Sequence, residues 1–216
     1  FIDETLAEHR PNDAVLSEEA ADDSDRLTAD RVWIIDPLDG TQEYSEFDRA
    51  DWAVHIALWE RKDADGKPSD EGSITQAAVA LPAYNMTLST HQLQKTPDRH
   101  EGKPRLVVSR NRATREAVIV AEALDCDVAR LGSAGAKTMA VVLGEVDIYV
   151  HAGGMYQWDS AAPIAVAAAA GLFTSRIDGT PLIYNRRDAW LPDLVVCQQH
   201  LAQQVIDALR AGRLGA

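Results

Sequence analysis

Two aspartates three positions apart, Asp36 and Asp39, directly follow an apolar run and precede a glycine and a threonine. Residues 32–35 are β-branched or aromatic without a polar break, which is typical of a strand buried on both faces. Pro37 has no N–H group for a sheet and disfavours helical backbone at Asp36, so the strand is predicted to end there. The two carboxylates and the Leu38 carbonyl between them are oxygen ligands of the kind that magnesium takes.

The two residues after Asp39 could hold an anion beside that metal. Gly40 lets a ligand approach the backbone closely because it has no side chain. Thr41 is predicted to open a helix, whose free N–H groups favour a phosphate. The alternative is a polar turn after a core strand, with Asp39-Gly40 as ordinary turn chemistry. This stretch alone does not distinguish the two.

Acidic residues at two other places could join this turn. Glu18 follows a short strand at 14–16, and it would lie beside the metal turn if that strand neighbours the one ending at Asp36; a solvated acidic loop is the alternative. Asp159 precedes a predicted helix, where capping is the ordinary explanation. Together these carboxylates would form a dense cluster. A divalent cation would remove the repulsion by which each carboxylate raises the pKa of its neighbours.

The elements that must position these residues form an alternating pattern of strands and helices, which predicts a layered α/β fold. The strands are predicted at 14–16, 32–36, 52–59, 77–81, 85–89, 106–108, 128–131, 147–150 and 194–196, and the helices at 1–10, from 41, and at 114–124, 133–143, 158–171 and 201–209. Residues 90–103 are polar, contain two prolines and are predicted to be a mobile loop. We divide the chain into a metal-binding α+β half (residues 1–104) and an α/β half (residues 105–216) that completes the active site.

Composition excludes several classes of function. The 216 residues contain 21 Lys and Arg against 34 Asp and Glu, a net charge of −13, which disfavours binding to nucleic acid or to an anionic membrane. Cys126 and Cys197 are too few for a disulfide framework or a thiolate metal site, so a cytoplasmic location is expected. No apolar stretch is long enough to span a membrane.

Three motifs carry a resemblance to a known family. Ser17-Glu18-Glu19, W-I-I-D-P-L-D-G-T at 33–41 and W-D-S-A-A-P at 158–163 resemble, in order and spacing, the signatures of the inositol monophosphatase superfamily. V-V-S-R-N-R at 107–112 and G-S-A-G-A-K at 132–137 are most similar to its bacterial branch acting on 3′-phosphoadenosine 5′-phosphate (PAP). The resemblance implies a layered αβαβα sandwich of the inositol monophosphatase and fructose-1,6-bisphosphatase type, a homodimer, and inhibition by lithium.

The resemblance also implies roles for individual residues. Thr41, Asp39 and Glu18 would be catalytic, with Thr41 helping to activate the attacking water, while Gly40, Thr41 and Asp159 would contact the substrate phosphate. The ligands of two or three Mg²⁺ ions would be Glu18, Asp36, the Leu38 carbonyl, Asp39 and Asp159. The nucleotide contacts would be Ser109, Arg112, Ser133 and Lys137.

The nucleotide contacts have alternatives in the sequence itself. Ser133 could be a helix cap and Lys137 a surface residue. Arg112 stands where the animal nucleotidases carry a histidine. In an acidic chain, however, Arg112 and Lys137 are the best placed cations for the second phosphate of PAP.

The function expected from these residues and the resemblance is a magnesium-dependent phosphatase that uses in-line attack of a metal-activated water. The resemblance implies that this enzyme removes the 3′-phosphate of PAP to give AMP. A phosphatase of inositol 1-phosphate or fructose 1,6-bisphosphate with the same fold is the first alternative. A catalytically silent metal- or nucleotide-binding protein is the second, and an acidic interaction module the third. Family members also carry a further N-terminal helical segment with an aspartate that pairs with the threonine, so we expect the chain from Phe1 to be incomplete as an enzyme.

Overall fold

The computed structural model describes residues 1–63, 65–92 and 102–214, and their strands form two sheets. The first sheet has the order β1-β2-β3-β4-β5 and consists of β1 (Ala14–Ser17), β2 (Arg31–Asp39), β3 (Ala53–Lys62), β4 (Pro68–Leu81) and β5 (Met86–Ser89). The second has the order β7-β6-β8-β10-β9 and consists of β6 (Arg105–Ser109), β7 (Asp127–Leu131), β8 (Ile148–Tyr156), β9 (Phe173–Ser175) and β10 (Trp190–Cys197). The helices are α1 (Ile2–His9), α2 (Thr41–Ser45), α3 (Arg115–Ala123), α4 (Ala134–Val142), α5 (Gln157–Ala169) and α6 (Ala202–Leu214).

Helices α4 and α5 lie between the two sheets. One hydrophobic core joins Val79 of the first sheet, Met139 of α4, Ile164 of α5 and Leu194 of the second sheet. A second core packs α3 and α6 against the other face of the second sheet. The layers therefore alternate between sheet and helix, and the predicted layered α/β sandwich is confirmed.

The parallel pairing of β1 with β2 is the feature that positions the acidic residues. Ser17 is paired with Ile35, and the Glu18 N–H donates to the Ile35 carbonyl at 3.4 Å. Parallel neighbours have their carboxyl ends at the same edge of a sheet. The prediction that Glu18 lies beside the Asp36–Asp39 segment is thus confirmed.

The predicted end of β2 at Asp36 is wrong. The strand continues to Asp39, and its pairing with β3 shifts register between Asp36 and Asp39. An irregularity of this kind re-aims side chains and tolerates a proline, because the local ladder is already interrupted. Gly40 follows with φ +90°, and a Cβ at this position would lie 2.9 Å from the Ser133 Cβ.

Most other elements lie where they were predicted, with longer strands. Strand β8 extends to Tyr156 rather than ending at 150, and the short strand β9 was not predicted. Helix α5 begins at Gln157, one residue before the predicted start at 158, so Asp159 lies inside its first turn. Of the loop predicted at 90–103, residues 93–101 lie outside the described residues. The two sheets fall on either side of residue 104, yet they share one core, and the division into two halves stays a prediction.

Candidate active site

Three aspartates meet where the two sheets and the intervening helices converge. Each of Asp36, Asp39 and Asp159 offers one carboxylate oxygen, and these oxygens all lie within 4.8 Å of one another. Asp36 and Asp39 come from the end of β2, whereas Asp159 comes from the first turn of α5. We call these three residues the carboxylate cluster.

Asp36 is the member of the carboxylate cluster whose charge is least compensated. Its side chain is 1% exposed, and its Oδ1 accepts the Leu38 N–H at 2.9 Å. Its Oδ2 is buried without a hydrogen-bond partner among the described residues. Burial and the neighbouring Asp39 raise the pKa of Asp36 to about 8. A buried, unpartnered carboxylate oxygen facing other carboxylates fits a divalent cation, because the cation supplies the missing partner.

Asp159 is half-buried and also has a raised pKa. Burial, followed by the charges of Asp39 and Glu18, raises the pKa of Asp159 to about 6, although the Tyr156 N–H opposes this by donating to its Oδ2 at 2.6 Å. Tyr156 is the N-cap residue of α5, so this hydrogen bond gives Asp159 the helix-capping role that was the alternative in the sequence. Asp159 therefore serves the helix start and the carboxylate cluster together.

Asp39 is held in the charged form by its surroundings. The Ala134 N–H donates to its Oδ1 at 3.2 Å and the Gly135 N–H to its Oδ2 at 2.6 Å, at the N-terminus of α4. Burial by itself would raise the pKa of Asp39, but His55, the Gly135 N–H and Lys137 lower it below the ordinary value. The N-terminus of α4 also favours the charged carboxylate, because it carries a partial positive charge.

His55 of β3 is a member of the site that the sequence did not reveal. It is 0% exposed; its Nδ1 lies 3.1 Å from the Trp158 carbonyl, and its Nε2 lies 3.2 Å from Oδ2 of Asp39, outside hydrogen-bond geometry. Burial alone would lower the pKa of His55, but Asp39 and Asp36 raise it above the ordinary value. The available signal was a polar residue at an inward position of an apolar strand, which needs a buried partner.

Glu18 lies at the rim of the carboxylate cluster. Its side chain is exposed, and its oxygens are not among those that lie within 4.8 Å of one another. Its charge nevertheless raises the pKa of both Asp36 and Asp159, so it faces them. The structure thus places four of the predicted acidic positions together, three tightly and one at the edge.

Thr41 and Gly40 stand next to the cluster on the entry to α2. The exposed Thr41 donates its hydroxyl to the Leu38 carbonyl at 3.3 Å. Gly40 is the N-cap residue of α2 and has left-handed backbone. The Leu38 carbonyl, a predicted metal ligand, thus accepts from the Thr41 hydroxyl, while the N–H of the same residue donates to the Asp36 carboxylate.

Ser133 and Lys137 belong to the first turn of α4. Ser133 is the N-cap, since its Oγ accepts the Ala136 N–H at 2.8 Å, and the helix-cap alternative is confirmed. Lys137 is 3% exposed and donates its Nζ to the Gly132 carbonyl and, at 2.9 Å, to the Ser133 carbonyl. The surface-residue alternative is therefore wrong. Burial lowers the pKa of Lys137 to about 8, with Asp39 among the charges that oppose this.

The remaining predicted nucleotide contacts lie at the end of β6. Ser109 is half-buried, and its carbonyl accepts from Arg130 at 3.4 Å. Arg112 is exposed, whereas the preceding Arg110 is engaged in a two-pronged ion pair with Glu46. Of the two arginines in this motif, Arg112 is thus the one turned to solvent. A contact of Ser109 or Arg112 with a nucleotide stays a prediction.

Comparison with known proteins agrees with the same three motifs. The model of the inositol monophosphatase family matches residues 1–212. The 3′-phosphoadenosine 5′-phosphate phosphatase of Mycobacterium tuberculosis (strain CDC 1551 / Oshkosh) is 50% identical over 207 residues, covering 94% of this chain and 76% of the relative. The 3′(2′),5′-bisphosphate nucleotidase CysQ of Escherichia coli (strain K12) is 31% identical over 193 residues, covering 84% and 74%.

Solved structures support the fold. The crystal structure of inositol monophosphatase-II from Staphylococcus aureus MSSA476 matches with a TM-score of 0.77 at 20% identity, covering 98% of this chain and 82% of that one. The inositol monophosphate-bound structure of SaIMPase-II matches with a TM-score of 0.77 at 20% identity, covering 99% and 83%. Of the helices in the described part of the chain, none combines the length and the apolar character that a membrane span requires. From its motifs, its layered sheets and these matches, the chain belongs to the inositol monophosphatase family.

Proposed function

We propose that this protein is a metal-dependent phosphatase that removes the 3′-phosphate of PAP to give AMP. The observation that carries the reaction type is the buried Asp36 oxygen within the carboxylate cluster, which has no hydrogen-bond partner among the described residues. The substrate is supported by the relatives that are named PAP phosphatases, which match nearly the whole chain. PAP is a small phosphorylated metabolite, and an acidic protein can bind it where cations line the pocket.

The metal centre is the first part of this proposal. We assign two or three Mg²⁺ ions to Glu18, Asp36, the Leu38 carbonyl, Asp39 and Asp159, since oxygen ligands of this type suit magnesium. When bound, the metal supplies Lewis-acid activation of water and neutralises charge on the transferred phosphoryl group.

The protein's own groups provide positioning. Thr41 orients the attacking water through the hydroxyl that stands beside the Leu38 carbonyl. The amides of Gly40 and Thr41 bind the phosphate, because the glycine at that turn leaves the backbone open. His55 and the N-terminus of α4 hold the Asp39 carboxylate in a single orientation and in the charged form.

The second phosphate of PAP requires a cation away from the carboxylate cluster. We assign this role to Arg112, with Ser109 beside it, because Arg112 is exposed whereas Arg110 is paired with Glu46. We assign Lys137 and Ser133 a supporting role. Ser133 caps α4, and the Lys137 Nζ donates to two carbonyls of the turn that leads into this helix. Their direct contact with the nucleotide, which the resemblance implies, stays a prediction that substitution of Lys137 can test.

The proposal also covers the cellular location and the oligomeric state of the enzyme. Cys126 and Cys197 are free thiols, which supports a cytoplasmic location. A homodimer is proposed from the family resemblance alone, and its mass in solution would test it.

The decisive experiment measures phosphate release from PAP, inositol 1-phosphate and fructose 1,6-bisphosphate, each with Mg²⁺ and with a chelator. We expect Mg²⁺-dependent release, fastest from PAP. Faster release from either other substrate would replace PAP with that substrate. Absence of release from all three, with retained binding of metal or nucleotide, would show a catalytically silent protein.

A further inference from the structure

Three aromatic side chains form a continuous surface next to Asp159. The rings of Tyr156 and Trp158 are stacked, with centroids 4.6 Å apart and planes at 12°, and Trp190 meets Tyr156 edge-on at 5.5 Å. Tyr156 is 46% exposed and Trp190 is 45% exposed. We call Tyr156, Trp158 and Trp190 the aromatic wall.

The backbone around the aromatic wall is shaped to hold it. Tyr156 and Trp190 are cross-strand partners at the ends of β8 and β10. Gly154 has φ +90°, and a Cβ there would lie 1.5 Å from the Trp190 ring, so only glycine admits this ring position. The Trp158 carbonyl lies 3.1 Å from His55. The rings are therefore anchored at fixed places, although two of them remain half-exposed.

The position of the aromatic wall relates it to the proposed reaction. Strands β6, β7 and β8 are parallel, so their carboxyl ends share one edge of the second sheet, where ligands of layered α/β folds commonly bind. Tyr156 is the last residue of β8, and its N–H donates to Oδ2 of Asp159 at 2.6 Å. The backbone of Tyr156 therefore links the aromatic wall directly to Asp159 of the carboxylate cluster. Ser109 ends the neighbouring strand β6 at the same edge.

We propose that the aromatic wall stacks the nucleobase of the substrate, so that it selects nucleotides over sugar and inositol phosphates. This inference rests on the proposed phosphatase function and names the substrate class of that site. A nucleobase offers a flat π-face to an aromatic ring, and such stacking is tolerant of base identity. Inositol and fructose phosphates have no such face. Substitutions in the aromatic wall should therefore leave the binding of inositol and fructose phosphates unchanged.

The test compares ring-removing and ring-keeping variants. Tyr156→Leu and Trp190→Leu should each raise KM for PAP by about 5- to 100-fold, with kcat little changed, because stacking acts equally on the bound ground state and transition state. Tyr156→Phe should retain the wild-type KM, since it keeps the ring. Inositol 1-phosphate turnover should be the same in all variants. Tyr84→Leu, at a 60% exposed ring beyond β4, is the matched control and should change nothing.

A binding measurement without turnover supplements the kinetics. Titration of AMP in the presence of a chelator should quench tryptophan fluorescence in the wild type and in Tyr84→Leu, and less so in Trp190→Phe and Tyr156→Leu. Melting curves show whether each variant is folded, and Trp190→Leu keeps the test valid if Tyr156→Leu unfolds.

The failures are distinguishable. Wild-type KM for PAP in Tyr156→Leu and Trp190→Leu would overturn the stacking role while leaving the phosphatase proposal intact. If these variants instead alter the oligomeric state and not KM, the wall is an interface between copies of the chain, which also overturns the inference. Absence of PAP hydrolysis by the wild type would overturn the proposed function, and unquenched fluorescence with AMP would then overturn the stacking role as well.

Discussion

The buried carboxylate of Asp36 gives the site its most distinctive pH dependence. Burial and Asp39 raise its pKa from 3.8 to about 8, so the folded state binds this proton more tightly than the unfolded chain. The contribution to stability is therefore fully present below pH 3.8 and is lost as pH rises through about 8. In chelator, the free energy of unfolding of the wild type should fall with rising pH in this window, as urea titrations would measure.

Asp36→Asn provides the control for that pH series, because asparagine keeps the size of the side chain and cannot ionise. Its stability should be flatter across the same window. An equally steep decline in this variant would assign the pH dependence to other groups, of which Asp159, with its pKa raised to about 6, is the first to examine.

Charge removal at Asp39 and Asp159 tests the proposed metal ligands. Asp39→Asn and Asp159→Asn should each lower kcat for PAP by about 10²-fold or more, since a preorganised electrostatic contribution is commonly that large. Far-UV circular dichroism should show that both variants are folded. Wild-type activity in either one would remove that residue from the active site.

Arg112 and Lys137 should behave differently, although the sequence made them equivalent candidates. Arg112→Ala should lower kcat/KM for PAP by about 10- to 100-fold, because a charged hydrogen bond to phosphate is lost, and should spare inositol 1-phosphate. Lys137→Met removes a buried cation that bonds two carbonyls, so it should lower the melting temperature and the turnover of both substrates together. A PAP-selective loss in Lys137→Met would restore its predicted role as a nucleotide contact.

At the scale of elements, the N-terminus of α4 must approach β3 closely. A Cβ on Gly135 would lie 2.0 Å from Nε2 of His55, while the Gly135 N–H donates to Asp39. Gly135→Ala should therefore destabilise the protein by about 1–3 kcal/mol through overpacking. In a His55→Ala background the same substitution should cost much less, and additive effects in this double-mutant cycle would contradict the proposed close contact.

At the scale of the whole molecule, metal binding should couple to stability. Crowded carboxylates repel each other without a cation, so Mg²⁺ should raise the melting temperature in a concentration-dependent manner. Asp36→Asn should flatten this dependence, whereas Asp193→Asn, at an aspartate of β10 paired with Arg176, should not. An unchanged wild-type melting curve in Mg²⁺ would mean that the carboxylate cluster does not bind this ion.

Local sequence predicted those parts of the fold that depend on neighbours along the chain. Apolar runs determine where β1, β2 and β6 lie, and turn residues determine how the chain continues after them. The acidic residues of the carboxylate cluster could be predicted because each stands at the end of such an element. The end of β2 could not, since Asp39 remains in the sheet through its pairing with Ala53 of a distant segment.

Only the tertiary structure decided which polar residues are buried and what they contact. The local sequence does not show what His55 and Lys137 contact, because their burial depends on α4 and α5 packing between the two sheets. The aromatic wall likewise requires the pairing of β8 with β10, which brings Trp190 to Tyr156. The sequence by itself determined the family and the acidic chemistry, since short motifs encode them. The positions of the cations and aromatic rings around that chemistry depend on contacts between residues far apart in the chain, and those contacts exist only once the layers are packed.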